Sequence, residues 1–279
     1  DTELIAGDPA SFEITGNYFF GQPLANQKVK YVIYSADFYE YEYLAYQDYF
    51  LNDSYRYGYW SSSKYSEGEA TLNEKGKAEV SIETNIPEGK NRSQIFSIEA
   101  TFDDGSGNPS FARKNLLVFS GEYGIYRDEN SVYSSLVGER YSLPVRLVAR
   151  NTVNVSGIEL KASVLRENWV SYQETNQKYP SYRKEEESLP ELAARTDSSG
   201  RASFSFVPAK SGSYKFTVQG KDGRGNQITK EFWAWIAEKG QFYYFGQGDS
   251  ELQVQTEKNQ YAPGDTARLV VSSALPDRD

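Results

Sequence analysis

Apolar residues along this chain recur at every second position. In Lys28–Tyr34 one face carries Val29, Tyr31 and Ile33; in Arg201–Val207, Ala202, Phe204 and Phe206 point one way, and Arg201, Ser203 and Ser205 the other. Successive side chains of a strand fall on opposite faces, so this period marks half-buried strands. The same pattern predicts strands over Lys77–Thr84, Ile95–Phe102, Leu143–Ala149, Ile158–Leu165, Gly212–Gly220 and Lys230–Ala237. Glu74-Lys75-Gly76, Asp104-Gly105, Ser199-Gly200 and Asp222-Gly223 separate them as turns. One short helix is expected, over Ser188–Arg195. Short strands at this spacing predict an all-β fold of tandem antiparallel β-sandwiches.

The pattern also repeats. Gly68–Val80 and Ala193–Phe204 each place a polar turn ending in Gly between two strands, followed by a basic residue and Ala. Ser97–Phe102 parallels Lys215–Gly220. The turn Asp104-Gly105-Ser106-Gly107-Asn108 parallels Asp222-Gly223-Arg224-Gly225-Asn226, an offset of 222 − 104 = 118 residues. A closing strand follows each, Asn115–Phe119 and Glu231–Ile236. A repeat of that length is one sandwich domain and not a solenoid unit. The expected modules are 11–120 and 121–239. A third, truncated one is expected over 240–279; it begins with Glu251–Val254, and its Tyr261–Val271 runs on into a strand.

Three of these segments resemble the macroglobulin domains of the bacterial alpha-2-macroglobulin family. Ile14–Val29, through Tyr18-Phe19-Phe20-Gly21-Gln22-Pro23, resembles that family's YxxGxP opening. Thr196-Asp197-Ser198-Ser199-Gly200-Arg201-Ala202 resembles its TDxxGxA hairpin, and Tyr261-Ala262-Pro263-Gly264-Asp265-Thr266-Ala267 its YxPGDxA opening. Each motif alone is a turn signature; their order and recurrence carry the resemblance. It implies macroglobulin-like, immunoglobulin-like sandwiches in a multidomain protease trap, where an endopeptidase cuts a bait segment and a Cys–Gln thioester often captures it. It also implies an extracytoplasmic setting, periplasmic or cell-surface, with lipid anchoring through the parent protein. Partners would be neighbouring domains of the same protein and, through the parent, target proteases.

Composition restricts the chemistry. Cys and His are both absent, which removes disulfides, thiol nucleophiles, imidazole bases and the usual zinc ligands, and with Cys any thioester in these residues. Met is absent too, so the chain is expected to be a piece of something longer. No signal peptide opens it at Asp1-Thr2-Glu3, and no apolar run is long enough to span a bilayer. A net charge of −9, with basic residues scattered, argues against nucleic acid. No catalytic, cofactor or metal residue is expected.

Eleven tyrosines lie between Tyr31 and Tyr65, with Trp60 among them. As a partner surface, Tyr41, Tyr43, Tyr57, Tyr59 and Trp60 would offer large contact area at low entropic cost. The alternation in Tyr39-Glu40-Tyr41-Glu42-Tyr43 favours an aromatic-rich hairpin packed on a sheet. Asp104, Ser106 and Asn108 have the alternating oxygens of a calcium loop, yet Arg224 holds the middle position in the repeat and no bidentate Glu follows, so a plain turn is expected. Arg183-Lys184-Glu185-Glu186-Glu187 reads as a solvated loop. The pairs Asp103-Asp104 and Glu185-Glu186 would suit a glycosidase only if they faced each other across a cleft. An adhesin or carbohydrate-binding repeat using 31–65, and an accessory β-domain of a secreted hydrolase, use the same fold class.

Overall fold

The structure is a computed structural model that describes residues 4–39, 62–103, 105, 107, 109–128, 131–150, 153–172, 181–238, 252–256, 262–264, 266–267 and 269–273. Within them the two-residue alternation is realised as strands, with no helix. The first unit comprises the residues up to Glu122 together with Gly223–Gln227; the second comprises Tyr123–Asp222 and the residues from Ile228 onward.

Seven strands build the first module: β1 (Leu4–Ile5), β2 (Ala10–Thr15), β3 (Lys28–Asp37), β4 (Ser63–Thr71), β5 (Lys77–Ile82), β6 (Gln94–Phe102) and β7 (Ser110–Phe119). A sheet of order β1-β7-β6-β3-β4 faces the pair β2-β5. The second module contains β8 (Tyr123–Arg127), β9 (Ser134–Leu136), β10 (Tyr141–Ala149), β11 (Glu159–Tyr172), β12 (Ser181–Arg195), β13 (Arg201–Phe206), β14 (Gly212–Lys221) and β15 (Gln227–Ala237). Here β9-β15-β14-β11-β12 faces β13-β10-β8. In each module the short strand at one end runs parallel to the closing strand, β1 to β7 and β9 to β15. Downstream, β16 (Leu252–Thr256) and β17 (Leu269–Ser273) pair antiparallel.

Strands β1–β7 therefore map onto β9–β15 in order, down to the register. Ala10 pairs with Ile82 and Thr15 with Lys77; Tyr141 pairs with Phe206 and Arg146 with Arg201. The offsets are 141 − 10 = 131 and 206 − 82 = 124. At the closing strand, Leu4–Val118 corresponds to Ser135–Ile236, and 236 − 118 = 118. The offset falls stepwise because the first module has longer β3–β4 and β5–β6 connections.

Both cores lie between facing sheets. In the first, Phe12 and Val80 meet Ile33, Phe96, Ile98 and Val118. In the second, Leu143, Val145 and Phe204 meet Leu160, Val164, Phe216 and Ile236. Strand β14 exemplifies the alternation, burying Tyr214, Phe216 and Val218 while the intervening Lys215 and Thr217 are more exposed. The β8 strand contributes Tyr123 and Ile125, both buried. The Tyr123 ring lies against Gly220, whose missing side chain makes room for it: a Cβ there would stand 2.5 Å from the phenol oxygen. That oxygen is buried with no hydrogen-bond partner among the described residues. Burial, and secondarily Asp222, push its pKa far above the usual tyrosine range.

One turn recurs atom for atom. Asn73 N–H donates to Lys77 O (2.8 Å) and Gly76 N–H to Asn73 O (2.9 Å); Asp197 N–H donates to Arg201 O (2.8 Å) and Gly200 N–H to Asp197 O (3.1 Å). The Asn73 side chain accepts from the amides of Lys75 and Lys77, as Asp197 does from Ser199 and Arg201. Gly76 and Gly200 take φ of 71° and 75°, a left-handed conformation glycine adopts without steric cost.

Two expected features differ. Ser188–Arg195 is not a helix but the end of β12, and Arg183–Glu187 is not a loop but its middle. Leu189 pairs with Val164 and Leu192 with Ala162, so Pro190 and Glu191 together oppose Ser163 in a bulge. The bulge advances the phase by one residue and turns Leu189, Leu192 and Ala194 all towards the core. An i, i+3 apolar spacing inside a strand thus imitates a helix. The charges of 183–187 occupy the edge strand of the sheet, where they discourage pairing with another chain.

Asp197 is held below the ordinary 3.8 of an aspartate, chiefly by the Arg201 amide and then by Ser199. A depressed folded pKa contributes stability above the unfolded value and loses it as pH falls through the folded one. Asp197→Asn, which copies Asn73, should keep the unfolding temperature of the second module at neutral pH and flatten its acid sensitivity. Asp197→Ala should lower that temperature at both pH values; thermal unfolding at neutral and acid pH measures both. Tyr123→Phe removes a buried hydroxyl without a partner and should stabilise the second module by about 1 kcal/mol in urea unfolding.

Candidate interaction surface

The β2–β3 connection carries three consecutive aromatic residues, Tyr18, Phe19 and Phe20. Three in a row cannot all face a core from an alternating chain. The loop is closed by hydrogen bonds from Gly21 N–H to Tyr18 O (2.8 Å), Tyr18 N–H to Gln22 O (2.7 Å) and Leu24 N–H to Gly16 O (3.0 Å). The rings of Tyr18 and Phe20 stack in parallel at 5.4 Å. Phe19 projects fully into solvent at 107% relative exposure. Beside the loop, Phe111 at the start of β7 is 83% exposed.

Between loop and β7 lies a groove of about 360 Å³, floored by Ile14, Val29, Ala100 and Phe102 and rimmed by Tyr18 and Phe111. Just outside it, Glu13 pairs with Lys77 at 2.8 Å, which holds that carboxyl below its usual range. In the corresponding β10–β11 connection, Leu147 stands for Gly16, Val155 for Leu24, and Gly157, at φ 72°, for Asn26, at φ 61°; Gly157 N–H donates to Thr196 O as Asn26 N–H does to Leu72 O. Phe19, Phe20 and Phe111 together leave exposed apolar surface beside the groove, the kind of feature that contact sites share.

The second module has an exposed aromatic pair as well, Tyr133 and Trp233, but there a cation occupies the space. The Arg127 guanidinium lies 4.3 Å from the Tyr133 ring centroid and donates to Ser131 Oγ (2.8 Å), Val132 O (3.0 Å) and Trp233 O (2.6 Å). Its role is to pin the β8–β9 connection.

The residues expected to form a partner surface, Tyr41, Tyr43, Tyr57, Tyr59 and Trp60, lie outside the described residues, as do Asp104, Ser106 and Asn108. The described tyrosines flanking that stretch are tied to the sheet. Tyr31 covers Gly68 on the neighbouring edge strand, and Tyr65 donates to Glu83 O (3.0 Å) with its ring edge-on to Phe96 at 5.0 Å. Tyr39 is capped by the Arg92 guanidinium at 4.8 Å. Asp103 accepts from the Gly105 amide (2.8 Å).

Glu185 and Glu186 are adjacent in β12 and so point to opposite faces of the sheet, where they cannot flank one bond. Each is ion-paired on its own side, Glu185 with Arg183 (3.0 Å) and Glu186 with Lys184 (2.7 Å). No group of three or more potential metal ligands gathers among the described residues. In the sequence Tyr18–Pro23 shows only a turn motif, because the exposure of the tip and the depth of the groove depend on where β7 lies. The available signal was the unbroken aromatic run itself.

Phe19→Ser should leave the unfolding free energy of the first module within about 0.5 kcal/mol, as for surface substitutions away from packed features. It should also shorten retention on a phenyl-substituted matrix, and chromatography beside urea unfolding separates the two effects.

No family model matches the chain, and no curated protein matches it in sequence. Solved structures do match in fold. The native conformation of E. coli alpha-2-macroglobulin aligns with 98% of this chain at a TM-score of 0.50 and 18% identity. Salmonella alpha-2-macroglobulin reacted with methylamine aligns with 98% at 0.50 and 17%. The chain spans 18% of the length of each. The fold of this chain is therefore that of a stretch of the bacterial alpha-2-macroglobulins, the family its turn motifs resemble.

Proposed function

We propose that this chain is a non-catalytic scaffold segment of a macroglobulin-type endopeptidase inhibitor and belongs to that family. The carrying observation is the fold likeness over 98% of the chain, joined to family-like motifs in matching order. In this reading 11–120 and 121–239 are macroglobulin-like sandwich modules and 240–279 opens a third. The thioester and bait regions lie elsewhere in an extracytoplasmic parent protein. The absence of Cys and His from the sequence and the divergent faces of Glu185 and Glu186 support a scaffold over an enzyme.

The mechanical demand on such a segment is to hold its shape while a distant bait is cut, and two cores closed by the same bonded turn suit that demand. The test uses the parent protein and the 279-residue chain side by side, each incubated with trypsin. The parent should be cut outside these modules and should deprive trypsin of activity on a large protein substrate. The isolated chain should leave that activity intact and form no boiling-resistant adduct. An adduct on the isolated chain, or a parent that leaves trypsin fully active on the large substrate, would overturn the proposal.

A further inference from the structure

The larger sheet of the second module turns one face to the core and one to solvent. On β15, Phe232, Ala234 and Ile236 are buried in the core, so Glu231, Trp233 and Trp235 stand on the opposite face. Arg127 lies near the Phe232 ring and takes the carbonyl of Trp233, which leaves the indole to the outer face. Trp233 is 48% exposed and Trp235 is half-buried.

Neighbouring strands set polar groups beside the two rings. Val164 of β11 is a core residue, so Ser163, Leu165 and Glu167 share the outer face. Their register partners on β14 are Thr217, Lys215 and Ser213. On the other side of β11, Leu165 pairs with Ser188 and Glu167 with Glu186. The charges of this face answer one another. Lys215 Nζ lies 3.9 Å from a Glu231 carboxylate oxygen, and Lys184 Nζ lies 2.6 Å from Glu167 and 2.7 Å from Glu186. Among these groups carboxylates outnumber ammoniums, so they form no cationic patch.

That pattern selects the partner. A nucleic acid or an acidic polymer needs a surplus of cations. A folded protein would bury the centre of the face, and interface centres are poor in Glu and Lys. A bilayer takes up a continuous apolar face, and here the rings stand among ion pairs. A pyranose ring matches both parts: its C–H face stacks on an indole, and its hydroxyls exchange hydrogen bonds with carboxylate and ammonium groups.

We propose that the outer face around Trp233 and Trp235 binds a neutral polysaccharide of β-linked pyranose rings. Trp233 stacks on one ring, and Glu231 and Lys215 hold its hydroxyls. Trp235, two residues along the strand and about 7 Å away, meets the next ring. A straight strand asks for a straight ligand; β-1,4-linked chains are extended, whereas α-1,4-linked chains coil. A sheet face has no end wall, so the ligand is a stretch within a chain and not its terminus. The inference uses the second module alone and stands apart from the protease-trap reading.

The test uses the 279-residue chain with cellohexaose, chitohexaose and maltohexaose at millimolar concentration, followed by two-dimensional NMR of the indole N–H groups. At least one of the two β-linked chains should shift the Trp233 signal saturably, and the α-linked maltohexaose should bind at least about tenfold more weakly. Trp233→Ala should weaken binding, read on the Trp235 signal, by at least about tenfold. Trp233→Tyr, which keeps a ring on the face, should bind within a few-fold of the parent chain. No saturable shift with either β-linked chain overturns the proposal, as does unchanged affinity in Trp233→Ala or equal binding of maltohexaose. So does a Trp233 shift produced by raising the protein concentration without sugar, which would make a second copy the occupant.

Discussion

Each module depends on one crossing point, the turn that hands the chain from one sheet to the other. In the first, Leu72 N–H donates to Gln27 O and Asn26 N–H to Leu72 O, binding the turn to the large sheet; Gly16 N–H donates to Gly76 O, binding it to the small one. In the second, Thr196 N–H donates to Ile158 O, Gly157 N–H to Thr196 O, and Leu147 N–H to Gly200 O. A one-residue slip of any strand would turn its apolar face to water. These bonds fix the phase of β2 with β5 and of β3 with β4 at once, and the placement of both cores follows. Gly76 cannot be replaced without cost, because a Cβ there would run into the Gly16 carbonyl.

Around the same point the two modules reach equal packing with different side chains. The first combines Gly16 with Leu24 and Leu72; a Cβ on Gly16 would meet the two leucines at 2.9 and 2.8 Å. The second combines Leu147 with Val155 and Thr196. The large residue has moved from β2 to its neighbours, and the total volume is roughly kept. Cores accept such exchanges when volume and patterning are conserved. Thr196 uses its hydroxyl as well, donating to Val155 O (2.7 Å) and accepting from Ile158 N–H (2.8 Å), where Leu72 offers only packing. Motif similarity between the modules is low here although the geometry is shared.

Much of the fold was legible because it follows from local rules. The alternation in Lys28–Tyr34 and Arg201–Val207, and the glycines at 76 and 200, place strands and turns without knowledge of partners. The β12 strand imitates a helix where a bulge breaks that local rule, since Pro190 and Glu191 reset the phase through contact with a neighbouring strand. The candidate site was hardly legible at all. Exposure of Phe19 and Phe111 depends on where β7 lies against the loop.

The parallel pairing of β1 with β7, and of β9 with β15, bears on how a module meets force. Among the described residues β1 is the first strand of the first module and β7 the last; in the second, β8 precedes β9, and β15 is the last of the two facing sheets. Tension applied between β1 and β7, or between β9 and β15, pulls these neighbours in opposite directions along their common axis. The bonds between them are then loaded in shear, all at once, and not peeled apart one after another as at a hairpin end. A patch of only two or three residue pairs can in this way act as a mechanical catch, resisting extension out of proportion to its share of the fold's equilibrium stability.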